Sequence, residues 1–101
     1  MKDFKVLSKD ECNYATSYKG YINTTYGQLL EVLGDPTYNE PSGDDKTQVE
    51  WIIEFKGEIF TIYDWKTFSR EYTENELDRF NIGGKSSAVD FINMLATILK
   101  R

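Results

Sequence analysis

Gln48-Val49-Glu50-Trp51-Ile52-Ile53-Glu54-Phe55-Lys56-Gly57-Glu58-Ile59-Phe60-Thr61-Ile62-Tyr63-Asp64-Trp65 is the stretch that decides the fold. Two runs rich in β-branched and aromatic residues flank Lys56-Gly57, and their alternation is that of a β-hairpin with one covered face. Loop length decides which residues share that face, because a slip of one residue exchanges the two faces. An even loop groups Val49, Trp51, Ile53 and Phe55 with Phe60 and Ile62. A three-residue loop with a bulge would bring in Ile59, Thr61 and Tyr63, a less apolar set, so the even loop is expected.

C-terminal to the hairpin, residues 66–78 are polar and charged without periodicity and read as an excursion, with a helical turn at Glu74–Asp78. Arg79-Phe80-Asn81-Ile82 returns as a short strand, and Gly83-Gly84 reads as a tight strand-to-helix turn. From Ser86 onward Ala88, Phe91, Ile92, Leu95, Ile98 and Leu99 recur at helical spacing. Ser86 or Ser87 can cap that helix, and Lys100 and Arg101 complement its negative end. Its apolar stripe is expected to lie across the hairpin.

N-terminal to the hairpin, Thr25 and Gln28 have capping-box spacing, Gly34 suits a left-handed C-terminal position and Pro36 forbids continuation. These signals predict a short helix with Tyr26, Leu29, Leu30 and Leu33 on one face. Tyr18–Asn23 and Phe4–Leu7 read as short extended segments, and Tyr38–Lys46 as an exposed turn-rich loop. The expected architecture is α+β, a single domain over residues 1–101. A small antiparallel sheet around the central hairpin packs against the C-terminal helix and the shorter helix of the N-terminal half.

The 101 residues, 40% of them hydrophobic, suffice for one core without metals or cross-links. Seventeen acidic residues against twelve basic ones give a net charge of -5, which repels phosphate backbones, so direct nucleic-acid binding is not expected. Cys12 is the only cysteine and cannot form an internal disulfide; Asp10 and Glu11 beside it disfavour a reactive thiolate. The N-terminus lacks the apolar run of a signal peptide, and no stretch approaches the roughly 18 to 20 apolar residues of a membrane span. A soluble protein of the cytoplasm is therefore expected, with no membrane partner.

The chain contains no His, which removes the commonest acid-base residue and zinc ligand, and with it the Ser-His and Cys-His hydrolases. Gly83-Gly84-Lys85-Ser86 is a candidate anion-binding turn, although a phosphate-binding loop would need Gly where Arg79 stands. Asp44-Asp45 lacks the ligand spacing of a calcium loop. Asp64 between Tyr63 and Trp65 reads as a buried structural carboxylate in need of a donor from Lys66, Arg79 or a backbone amide. Trp51, Tyr63, Trp65, Phe68 and Tyr72 form the core and its rim, and exposed members of that set could anchor a partner. Nothing calls for a cofactor or a metal.

Gly20-Tyr21-Ile22, Thr25-Tyr26 with Leu29-Leu30, Leu33-Gly34-Asp35-Pro36, Glu50-Trp51, Thr61-Ile62-Tyr63-Asp64-Trp65-Lys66 and Asn81-Ile82-Gly83-Gly84 together make a pattern over residues 18–99. It resembles that of small proteins encoded by bacteriophages and other large DNA viruses. Phe80-Asn81 stands where that pattern has Trp-His, so no role resting on the His carries over. The resemblance implies a context, since small phage proteins of this kind often bind a host protein and many inhibit defence systems such as CRISPR nucleases. Joined to the acidic balance, the surplus of Tyr and Trp and the missing catalytic residue types, it gives the expectation of a non-enzymatic protein that binds and inhibits or modulates a host or defence protein, with nucleic-acid enzymes as suitably basic partners. The contact residues expected on this reading are Tyr63, Asp64, Trp65, Glu71, Tyr72, Glu74, Asp44 and Asp45. A small-ligand or nucleotide binder using Gly83-Gly84, a carboxylate or Lys enzyme and a self-associating assembly component are the alternatives, and a homodimer is left open.

Overall fold

The computed structural model describes residues 4–9, 16–40, 47–65 and 69–99. Cys12, Asp44, Asp45, Lys66, Phe68, Lys100 and Arg101 lie outside them, as does most of the turn-rich loop. The elements are β1 (Phe4–Val6), β2 (Ser17–Ile22), α1 (Tyr26–Leu33), β3 (Glu50–Phe55), β4 (Glu58–Tyr63), α2 (Arg70–Asn75), β5 (Phe80–Gly84) and α3 (Val89–Leu99). The strands form one antiparallel sheet in the order β1-β3-β4-β5-β2.

The hairpin has the even loop. Phe55 pairs with Glu58, Ile53 with Phe60 and Trp51 with Ile62. Lys56 (φ 53°) and Gly57 (φ 78°) both take positive φ, the requirement of a two-residue turn whose twist matches its strands. Trp51, Ile53, Phe55, Phe60 and Ile62 consequently face one way and join Phe80 and Ile82 of β5 in the core. From the helices, Leu29 and Leu33 of α1 and Phe91 and Leu95 of α3 complete it. Phe91 stacks on Phe60 with centroids 4.6 Å apart and planes 6° apart, and Phe55 tilts against Phe91 at 5.7 Å. Trp51 meets Phe80 edge-on at 6.2 Å and donates its indole N–H to the Gly34 carbonyl at 3.0 Å.

At the start of α1 the capping box forms as expected, with Thr25 accepting from the Gln28 amide and Gln28 accepting from the Thr25 amide. Two expectations are corrected. The helical turn between the hairpin and β5 lies at Arg70–Asn75 rather than Glu74–Asp78, because Ser69 caps it by accepting from the Tyr72 amide. And Gly83-Gly84 is the end of β5, not a turn.

These glycines are required by crowding on both faces of the sheet. A Cβ on Gly84 would meet the Phe60 ring at 3.0 Å beneath the Phe60–Phe91 stack, and one on Gly83 would meet Thr61 Oγ1 at 2.6 Å and Thr16 Oγ1 at 2.9 Å. Gly83→Ala is therefore expected to cost about 1–3 kcal/mol. Thr61→Ala in the same chain should recover part of that loss, measured as a double-mutant cycle by urea denaturation. Independent, additive effects would refute the crowding argument.

Candidate functional site

α1 and α3 pack on one face of the sheet, and among the described residues no helix covers the other. Side chains alternate along each strand, so the residues paired with one another across the sheet point to the same side. Glu50 pairs with Tyr63, Tyr63 with Asn81 and Asn81 with Tyr21. An isolated bridge adds Tyr38 on the far side of Glu50. Tyr38, Glu50, Tyr63, Asn81 and Tyr21 thus form one row across the helix-free face. The adjacent row, Ile52, Thr61, Gly83 and Tyr18, lies low in the middle, where Thr61 is buried and Gly83 has no side chain.

Tyr18, Tyr21 and Trp65 are 58%, 47% and 49% exposed, and the Trp65 ring stands edge-on to Tyr63 at 6.2 Å. Arg79 lies 4.8 Å from the Tyr21 ring centroid, a cation–π contact that adds positive charge at the β2 end of the row. The β3 end is acidic. Burial raises the Glu50 carboxyl above the ordinary carboxylate range, and the nearby Asp64 raises it further. Burial also raises the Tyr63 phenol, with Glu50 and Tyr18 adding to the effect.

Of the expected contact residues, Tyr63 and Trp65 belong to this surface. Asp64 does not: it is fully buried, its Oδ1 accepts from the Gln48 and Val49 amides at 2.8 and 3.1 Å, and its Oδ2 accepts from the Thr73 hydroxyl at 2.6 Å. The alternation that turns the half-buried Tyr63 and the exposed Trp65 to this side turns Asp64 inward, and backbone amides are among its donors. Glu71, Tyr72 and Glu74 sit on α2, which packs against α1 through Arg70 and Tyr26 rather than joining the aromatic face. Glu74 is held by Arg70 at 2.7 Å, and Arg70 also reaches the Tyr26 hydroxyl and Asn39 Oδ1. Asp44 and Asp45 lie outside the described residues.

The candidate anion turn is also corrected. β5 is an interior strand paired through Gly83 and Gly84 to both β4 and β2, so their amides serve the sheet ladders. Ser86 donates to the Glu58 carboxylate, which places a negative charge where an anion would have to approach.

Tyr18, Tyr21, Tyr38 and Glu50 are the members of the surface that sequence reasoning missed. Glu50 was legible as a polar position opposite the apolar face, but its pairing with Tyr38 depends on a bridge outside any strand pattern. A shallow groove of about 350 Å³ lies between the end of β2, Gln28 and the Ile92, Ala96 and Leu99 side of α3. Its walls are mainly apolar, and the Gln28 carbonyl oxygen is engaged by Thr24 and Thr25. Among the described residues no three His, Cys, Asp or Glu converge as a metal site, and no helix is long and apolar enough to cross a membrane. Comparison with protein-family models, with curated proteins and with solved structures found no match.

Proposed function

We propose that this protein is a non-catalytic protein-binding module whose contact surface is the helix-free face of the sheet. The observation that carries the reading is the placement of Tyr18, Tyr21, Tyr63 and Trp65 on that face, with the half-buried Glu50 at the β3 end of their row. Tyr and Trp bury large areas at low entropic cost and keep a polar tip, the properties of residues that dominate interface energetics. The net charge of -5 favours approach to a basic partner surface. The resemblance to small phage proteins points to a host or defence protein in the infected cell, with a nucleic-acid enzyme as a partner of suitable charge and inhibition as the consequence.

The test is capture from host lysate at low salt, comparing the intact chain with a Tyr63→Ala/Trp65→Ala variant whose fold is verified by circular dichroism. One stoichiometric partner is expected on the intact chain, weakened by salt and depleted by roughly ten-fold or more on the variant. Recovery of no partner, equal recovery on both chains, or turnover of a substrate by the purified protein would refute the proposal.

A further inference from the structure

We propose that the Tyr38–Glu50–Tyr63 row is a receptor for one guanidinium group, an arginine side chain presented by the protein partner; the assignment rests on the protein-binding reading above. The geometry begins with the backbone. The Glu50 N–H donates to the Tyr38 carbonyl and the Tyr38 N–H to the Glu50 carbonyl, both at 2.9 Å. Both Glu50 main-chain groups therefore point away from β4. The Glu50–Tyr63 pair is then of the non-hydrogen-bonded kind, in which the Cα atoms come to about 4.5 Å and the side chains are closest. One carboxylate stands between two phenol side chains on one face of the sheet.

Among the described residues that carboxylate has no partner of its own. The fully buried Asp64 nearby is met by two amides and a hydroxyl, whereas the half-buried Glu50 makes no side-chain hydrogen bond or ion pair among the described residues. Lys9 lies 5.5 Å from the Tyr38 ring, but its ammonium is bound to Glu40 at 2.9 Å. The Tyr38 ring thus already receives a cation, while no cation among the described residues neutralises Glu50.

The chain also contains the filled counterpart of such a site. Arg70 lies 5.2 Å from the Tyr26 ring centroid, donates to the Tyr26 hydroxyl at 2.8 Å and binds Glu74 at 2.7 Å. Tyrosine, glutamate and the Asn39 side-chain oxygen together hold a guanidinium there. Tyr38, Glu50 and Tyr63 offer the phenol and carboxylate groups of that set without an arginine. A guanidinium suits them better than an ammonium because its plane can stack on a ring while its N–H groups reach the carboxylate.

The experiment titrates the full chain with Nα-acetyl-arginine amide at low salt and follows Tyr38, Glu50 and Tyr63 by NMR. Saturable shifts confined to these residues are expected, together with a fall of the Glu50 pKa toward the ordinary carboxylate range, and both should be lost in Glu50→Gln. Binding by Nα-acetyl-lysine amide should be weaker. Because the folded chain holds the Glu50 proton more tightly than the unfolded chain, Glu50 lowers stability as pH rises from the ordinary carboxylate range through its raised value. Above both values, Glu50→Gln should consequently melt higher than the intact chain.

Shifts that persist in Glu50→Gln, an equal response to the lysine compound, no saturable response, or a lower melting temperature for Glu50→Gln would each overturn the receptor. A captured partner retained equally by Glu50→Gln would overturn it while leaving the protein-binding reading in place. Arginine binding at the row with no captured partner would instead count against that broader reading.

Discussion

Asp64→Ala is expected to lower stability by roughly 3–5 kcal/mol, the range for removing an acceptor that several buried donors share. Its carboxylate joins the Gln48 and Val49 amides, just before β3, to Thr73 on α2, and it lies directly after β4. Removing it leaves those donors buried and unmet. For a domain of this size each kcal/mol corresponds to about 4–8 °C in Tm, so the loss should be plain in a thermal melt. Thr73→Val removes one of the bonds and should cost roughly 1–3 kcal/mol. The two changes should be clearly non-additive, since each removes the same contact. A loss below about 1 kcal/mol for Asp64→Ala would contradict its role as the tie between the strand ends and α2.

Trp51→Ala is the second large effect, expected at roughly 3–5 kcal/mol because a large, fully buried ring leaves a cavity that its neighbours cannot fill. Trp51 touches Tyr26 of α1 and Phe80 of β5, and its indole N–H caps the carbonyl of Gly34 just past the end of α1. Trp51→Phe keeps an aromatic ring but leaves that carbonyl without its donor, so a smaller loss, about 1–2 kcal/mol, is expected. Urea denaturation separates the two. The midpoint should fall in both variants while the slope stays near that of the intact chain, as for a change in stability without a change in the surface exposed on unfolding. A cost below about 1 kcal/mol for Trp51→Ala would mean that this face of the hairpin is not the core face.

Where local signals were strong, the sequence was a good guide. The capping residues around α1, the alternation through β3 and β4 and the helical spacing in α3 are properties of neighbouring residues, and each element formed where those signals lay. The segment before β5 was less legible. α2 has six residues and buries Thr73 as the partner of Asp64, so an apolar stripe was never available to announce it. Gly83-Gly84 was misread as a turn because glycine is permissive in turns, whereas here it is demanded by Thr61, Thr16 and Phe60, neighbours far away in sequence.

By itself the sequence determined the α+β class, the even hairpin loop, the core stripe of α3 and the exclusion of His-dependent chemistry, because each follows from periodicity or composition. Only the tertiary structure decided which polar and aromatic residues meet. Tyr18 and Tyr21 are three positions apart, a spacing that places residues on opposite faces of a regular strand. An irregularity between Tyr18 and Gly20 shifts the register, so Tyr18 pairs with Gly83 and Tyr21 with Asn81 on the same face as Tyr63. The conformation of one irregular residue in β2, set by pairing with a strand some sixty residues later, thereby assembles the aromatic surface.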